Sequence, residues 1–144
     1  MSGKFVVGYD GSEAAQRALD FAIDRAAAQG GSVLIAHVLE WSPYSFLTPN
    51  ELEERHKRRR EELERAETAL MAPVVKAATG KGAKIESVIR YGRIAEVLCD
   101  IAKENEAAQI FIGRNGHSAW GARVFGSVAS ALVQTAPVPC TIVP

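Results

Sequence analysis

Five short β-rich apolar runs recur along the chain, and a helix-forming segment separates each from the next. The runs are 5–9, 32–38 (SVLIAHV), 83–91 (AKIESVIRY), 109–113 (QIFIG) and 140–143. Strands that alternate with helices through short turns join as parallel neighbours by right-handed crossovers. The run 32–38 is apolar almost throughout rather than at every second residue, which marks a strand covered on both faces. The expected fold is therefore α/β. It is a single domain over residues 1–144, a doubly wound five-stranded parallel sheet with helices on both faces. A chain of 144 residues with 47% apolar content is enough for one such core.

The helical segments carry their own signals. Segment 13–29 lacks Pro and Gly, and Ala15, Leu19, Ala22, Ile23 and Ala26 mark its inward face. Ser12 is placed to cap it, with Glu13 at the positive end of its dipole and Gly30-Gly31 at its end. Segment 94–105 has the stripe Ile94, Val97, Leu98 and Ile101, and the short segment 127–135 is stopped by Pro137 and Pro139. Segment 51–79 is long and charged, with Leu52, Leu63 and Leu70 as a narrow inward stripe. Pro73 should kink or split it, because a proline inside a straight helix costs about 3 kcal/mol. Its basic run Arg55-His56-Lys57-Arg58-Arg59-Arg60 is interleaved with seven glutamates between Glu51 and Glu67, which reads as a solvated helix laced with i,i+4 pairs.

The chemistry is concentrated after the fourth strand. Gly113-Arg114-Asn115-Gly116 is followed by nine residues and then Gly126-Ser127. Three glycines and one hydroxyl at these offsets arise by chance roughly once in 17,000 starts, which makes the spacing a moderately specific signal. Gly113 and Gly116 allow a sharp turn and a close backbone approach to a ligand. Gly126 and Ser127 bring amide N–H groups to a helix N-terminus, where the dipole favours anions, and the Ser127 hydroxyl can donate to a phosphate oxygen. In a doubly wound sheet the first and fourth strands flank the point where strand order reverses, the usual ligand crevice. Asp10, at the end of the first strand, reads both as an Asx-turn residue and as an acceptor for a ribose or base. His37 reads as a satisfied core or pocket-edge histidine. Trp41, Tyr44 and Phe46 read as loop anchors or as a cover over one end of the site.

Charge and composition narrow the function. The 17 Lys+Arg balance 17 Asp+Glu, so no bulk field draws the chain to nucleic acid. No apolar stretch approaches the ~20 residues a membrane helix needs, and the start lacks the pattern of a secretory signal. Cys99 and Cys140 form no CxxC spacing and read as free thiols of a reducing cytoplasm.

Through these motifs the chain resembles the ATP-binding branch of the universal stress protein family. Gly-x2-Gly-x9-Gly-Ser is similar to that family's nucleotide signature, and Phe5-Val6-Val7-Gly8-Tyr9-Asp10-Gly11-Ser12 to its opening strand and turn. Leu34-Ile35-Ala36-His37-Val38, Gly126-Ser127-Val128-Ala129 and Ala136-Pro137-Val138-Pro139-Cys140 extend the likeness across residues 4–144. The resemblance implies the adenine nucleotide alpha hydrolase-like fold and ATP, or ADP or AMP, as ligand, with Mg2+ carried by its phosphates. It implies that Gly8 and Asp10 line the adenosine pocket and that Val38 meets the adenine edge through its backbone. Gly113, Arg114, Asn115, Gly116 and His117 would follow the ribose and phosphates, and Gly126, Ser127 and Val128 the terminal phosphates. It also implies a homodimer paired through Thr141, Ile142 and Val143. Gln109 departs from the aspartate usual before the fourth strand. The loop has no Lys, and no acid lies between Arg114 and Val128 to orient water, so the expectation is a cytoplasmic regulatory module that holds ATP and turns it over slowly at most. The alternatives are a slow ATPase stimulated by a partner and an interaction protein that does not use nucleotide.

Overall fold

The computed structural model describes residues 3–40, 48–115 and 126–144. Five strands, β1 (Lys4–Gly8), β2 (Ser32–Glu40), β3 (Lys84–Gly92), β4 (Gln109–Gly113) and β5 (Cys140–Val143), form one sheet in the order β3-β2-β1-β4-β5. All four pairings are parallel. The connecting helices are α1 (Glu13–Gln29), α2 (Pro49–Arg65), α3 (Ala72–Ala78), α4 (Ile94–Glu104) and α5 (Ser127–Thr135), and a π-helical turn over Ala66–Met71 joins α2 to α3.

The two sheet faces carry two cores. Phe5, Val7, Val33, Ile35 and Phe111 pack on α1, with Met71, Val74 and Ala78 closing that layer. Val6, Leu34, Ala36, Ile110 and Ile112 pack on Leu98, Ile101 and Ala102 of α4 and on Ala129 and Leu132 of α5. Alternate residues of each strand feed opposite layers, and this is why these strands read as continuous apolar runs.

Three local expectations change. The charged helix starts at Pro49, two residues early, because Thr48 and Glu51 form a reciprocal capping box ahead of it. Pro73 lies in the first turn of α3, directly after the π-helical turn that separates α3 from α2, so the segment is divided at the proline while the backbone stays helical through Met71 and Ala72. The expected Leu stripe holds only in its last member. Leu70 packs against the core, Leu63 is half-buried, and Leu52 is 46% exposed. α2 stands off the sheet and buries no residue, and the chain reaches the core only from Ala66 onward. Strand β2 also runs on to Glu40, since its pairing with β3 continues to Glu40 opposite Gly92.

Candidate functional site

At the carboxyl ends of β1, β2 and β4 lies a cavity of about 270 Å³. It sits where strand order reverses, with β2 and β3 to one side of β1 and β4 and β5 to the other. Three local structures build it.

The first is the turn from β1 into α1. Asp10 Oδ1 accepts the Ser12 N–H at 2.9 Å, and Gly11 takes φ 82° between them. Ser12 Oγ then accepts the Ala15 N–H at 3.1 Å and caps α1. Asp10 is thus a turn residue that also lines the cavity. Beside it the Tyr9 hydroxyl donates to Gln16 Oε1 at 3.1 Å. Burial pushes the Tyr9 phenol above its ordinary range, and the charges of Asp10 and Asp20 push it further.

The second is the end of β2, which outlasts β1. The Tyr9 N–H donates to the Ala36 carbonyl at 2.8 Å, and β1 ends there. In a parallel strand every second residue turns its N–H and C=O toward the same neighbour. Val38 therefore aims its backbone donor and acceptor past the end of β1, at the cavity it lines. The Tyr9 carbonyl is taken by His37 Nδ1 at 2.7 Å, and since a carbonyl only accepts, Nδ1 carries the hydrogen. His37 is a satisfied histidine, as the sequence suggests, with its ring tied to the end of β1.

The third is the meeting of β4 with α5. A Cβ on Gly113 would lie 2.7 Å from the Ala14 carbonyl carbon and 2.9 Å from the Ala15 nitrogen, so this glycine lets β4 press against the start of α1. That packing role is one the expectation of ligand approach did not include. The Gly126 N–H donates to the Arg114 carbonyl at 3.3 Å and is not a bare amide. The first helical bond of α5 runs from the Ser130 N–H to the Gly126 carbonyl, so the N–H groups of Ser127, Val128 and Ala129 precede the ladder. All three residues line the cavity, as do Arg114 and Asn115.

Of the residues proposed from sequence, Gly8, Asp10, Val38, Gly113, Arg114, Asn115, Gly126, Ser127 and Val128 come together around this one cavity. Gly116 and His117 lie outside the described residues, as do Trp41, Tyr44 and Phe46. Sequence reasoning missed Ile94 and Leu98, which form an apolar wall, and Glu40. The two apolar residues were legible only as a core stripe. Glu40 was hidden because the β2 pattern reads as ending at Val38. Among the described residues no group of three or more His, Cys, Asp or Glu gathers as a metal site.

The universal stress protein family model matches residues 1–144. A universal stress protein of Thermus aquaticus, described as lying in the QAH/OAS sulfhydrylase 3′ region, is 33% identical over 138 residues, 96% of either chain. Among solved structures, universal stress protein UspA from Lactobacillus plantarum superposes with a TM-score of 0.85 at 24% identity, covering 99% of this chain and 97% of that one. A universal stress protein in complex with cAMP gives 0.67 at 25% identity, covering 99% and 97%. One from Archaeoglobus fulgidus in complex with dAMP gives 0.66 at 22% identity, covering 100% and 98%. The chain belongs to the universal stress protein family.

Proposed function

We propose that this protein binds ATP in the cavity between β1, β2 and β4 and acts as a cytoplasmic, homodimeric regulatory module of the stress response. The observation that carries the reading is the polarity of the cavity. At one end Val38 offers a backbone donor and acceptor beside the apolar wall of Ile94 and Leu98, which suits the edge and face of an adenine ring. At the other end the early N–H groups of α5, the Ser127 hydroxyl and the Arg114 side chain suit phosphates. Asp10 lies between them, in reach of a ribose. Relatives solved with cAMP and dAMP support an adenine nucleotide as the ligand class.

The donor set favours holding the nucleotide over splitting it. Arg114 is the cation among the described lining residues, and one Asp10 oxygen is already committed to the Ser12 turn. Mg2+ would arrive on the phosphates and be held mainly by them and by water. For the homodimer, β5 is a sheet edge, and Thr141, Ile142 and Val143 are only half-buried there.

Thermal unfolding with and without MgATP tests the reading. At a hundredfold excess over Kd, ATP should stabilise the protein by about 2.7 kcal/mol, and ADP, AMP and cAMP rank the phosphate contribution. An unchanged melting temperature with all four would leave an interaction protein that does not use nucleotide. Steady phosphate release above about 1 s⁻¹ would make it an enzyme instead.

A further inference from the structure

We propose that Glu40 reads the base, selecting a purine with a 6-amino group over one with a 6-oxo group. This rests on the nucleotide reading above and names the residue that sets its specificity. The cavity contains two carboxylates at different depths. Asp10 is tied into the β1–α1 turn, whereas Glu40 stands at the last position of β2, two residues beyond Val38 and on the same side of the strand. Its backbone is fixed in the sheet by pairing with Gly92, so the carboxylate is presented from a strand rather than from a loop. Arg114 and the α5 N-terminus lie two strand spacings away, roughly 10 Å across β1, so Glu40 faces the base end and not the phosphates.

The chemistry follows from the two groups at that end. An exocyclic amine has two hydrogens, and the Val38 carbonyl takes one. A carboxylate is acceptor-only and is the natural partner for the second. A 6-oxo purine presents a carbonyl oxygen there, which neither Val38 C=O nor an ionised Glu40 can satisfy. Specificity would thus come from both an attraction and a repulsion.

The test compares ATP with ITP, which differ at this edge of the ring, on the wild type, Glu40→Gln and Glu40→Ala, by calorimetry. The wild type should prefer ATP. Glu40→Gln keeps the size and gains an NH2 donor, so ITP should tighten and the ATP/ITP preference should shrink about tenfold. Glu40→Ala should weaken ATP about fivefold and leave ITP unchanged or tighter. Wild-type selectivity retained in both variants would overturn the assignment while leaving the nucleotide site in place. If the wild type binds neither triphosphate, the nucleotide reading itself fails, and the role of Glu40 fails with it.

Discussion

Helices α1 and α2 are each 17 residues long, yet α1 buries seven residues and α2 none. Seven of the 17 residues of α1 are alanine, and these small side chains let it lie close on the sheet. Its N-terminus is brought so near β4 that only glycine fits at position 113. α2 carries long charged side chains and is tied to the sheet at Tyr91, whose hydroxyl donates to the Arg59 carbonyl while Arg59 stacks over the Tyr91 ring at 5.0 Å. Helix length thus says little about what a helix contributes. The close-packed helix contributes to the wall of the cavity, and the solvated one does not line it.

The largest effect should come from the helix that touches. Leu19 is fully buried on α1, and Leu19→Ala should cost about 3 kcal/mol in chemical denaturation, the transfer of its methyl groups plus the cavity left behind. Next comes Gly113→Ala. The added methyl meets Ala14 and Ala15 backbone, which cannot swing aside as a side chain can, and a loss of about 2 kcal/mol is expected. A loss below about 0.5 kcal/mol would mean that α1 is free to slide from β4, and the contrast with α2 would weaken. Because that movement would also reshape the cavity, nucleotide affinity should fall along with stability.

These two residues show how much was legible beforehand. The sheet, its parallel sense and both layers followed from the alternation of strand and helix, because periodicity is a local signal. The motif around Gly113 and Gly126 drew attention to loop ends that line the cavity, but at Gly113 the glycine also answers a packing need. Spacing shows that a glycine is required but not which neighbour requires it, and at Gly113 the neighbour is α1. The failure at Leu52 has the same origin. An apolar residue at helical spacing reads as inward, whereas the distance of the helix from the sheet is set by bulkier charged neighbours and by where the chain is anchored. Glu40 was missed because β3 extends β2 through pairing, a long-range effect that a local run cannot reveal.

A smaller effect is expected at the α1 cap. Ser12→Ala removes the acceptor for the Ala15 N–H in a buried position and should cost about 1 kcal/mol. Ser12→Asn should restore part of it, since its side-chain oxygen can accept the same bond.

The two anchoring tyrosines extend the comparison to pH. Burial raises the phenol of Tyr9 on the α1 side, and Asp10 and Asp20 add to it. Burial also raises Tyr91 on the α2 side and Glu62 adds, but the Arg59 cation pulls the other way. A pKa higher in the folded state means that the neutral phenol favours folding. That contribution is intact below the unfolded value of 10.0 and is lost as pH rises through the higher folded value. Stability should therefore fall on the alkaline side of pH 10. Tyr9→Phe should flatten that fall more than Tyr91→Phe, read as urea midpoints between pH 8 and pH 11.

The smallest expected effect carries the other half of the comparison. Leu52 lies at the start of α2, 46% exposed, beside His56 and Tyr91 in the open groove between the helix and the end of β3. Truncating an exposed leucine on a helix surface leaves no closed cavity and changes helix propensity slightly in alanine's favour. Leu52→Ala should thus stay within about 0.5 kcal/mol of the wild type, against about 3 kcal/mol for the chemically identical change at Leu19. The ratio of these two values measures the stand-off of α2 directly. A loss above about 1 kcal/mol at Leu52 would show that the groove closes in solution and that α2 contributes packing. α2 would then count among the helices that pack on the sheet, as α1 does.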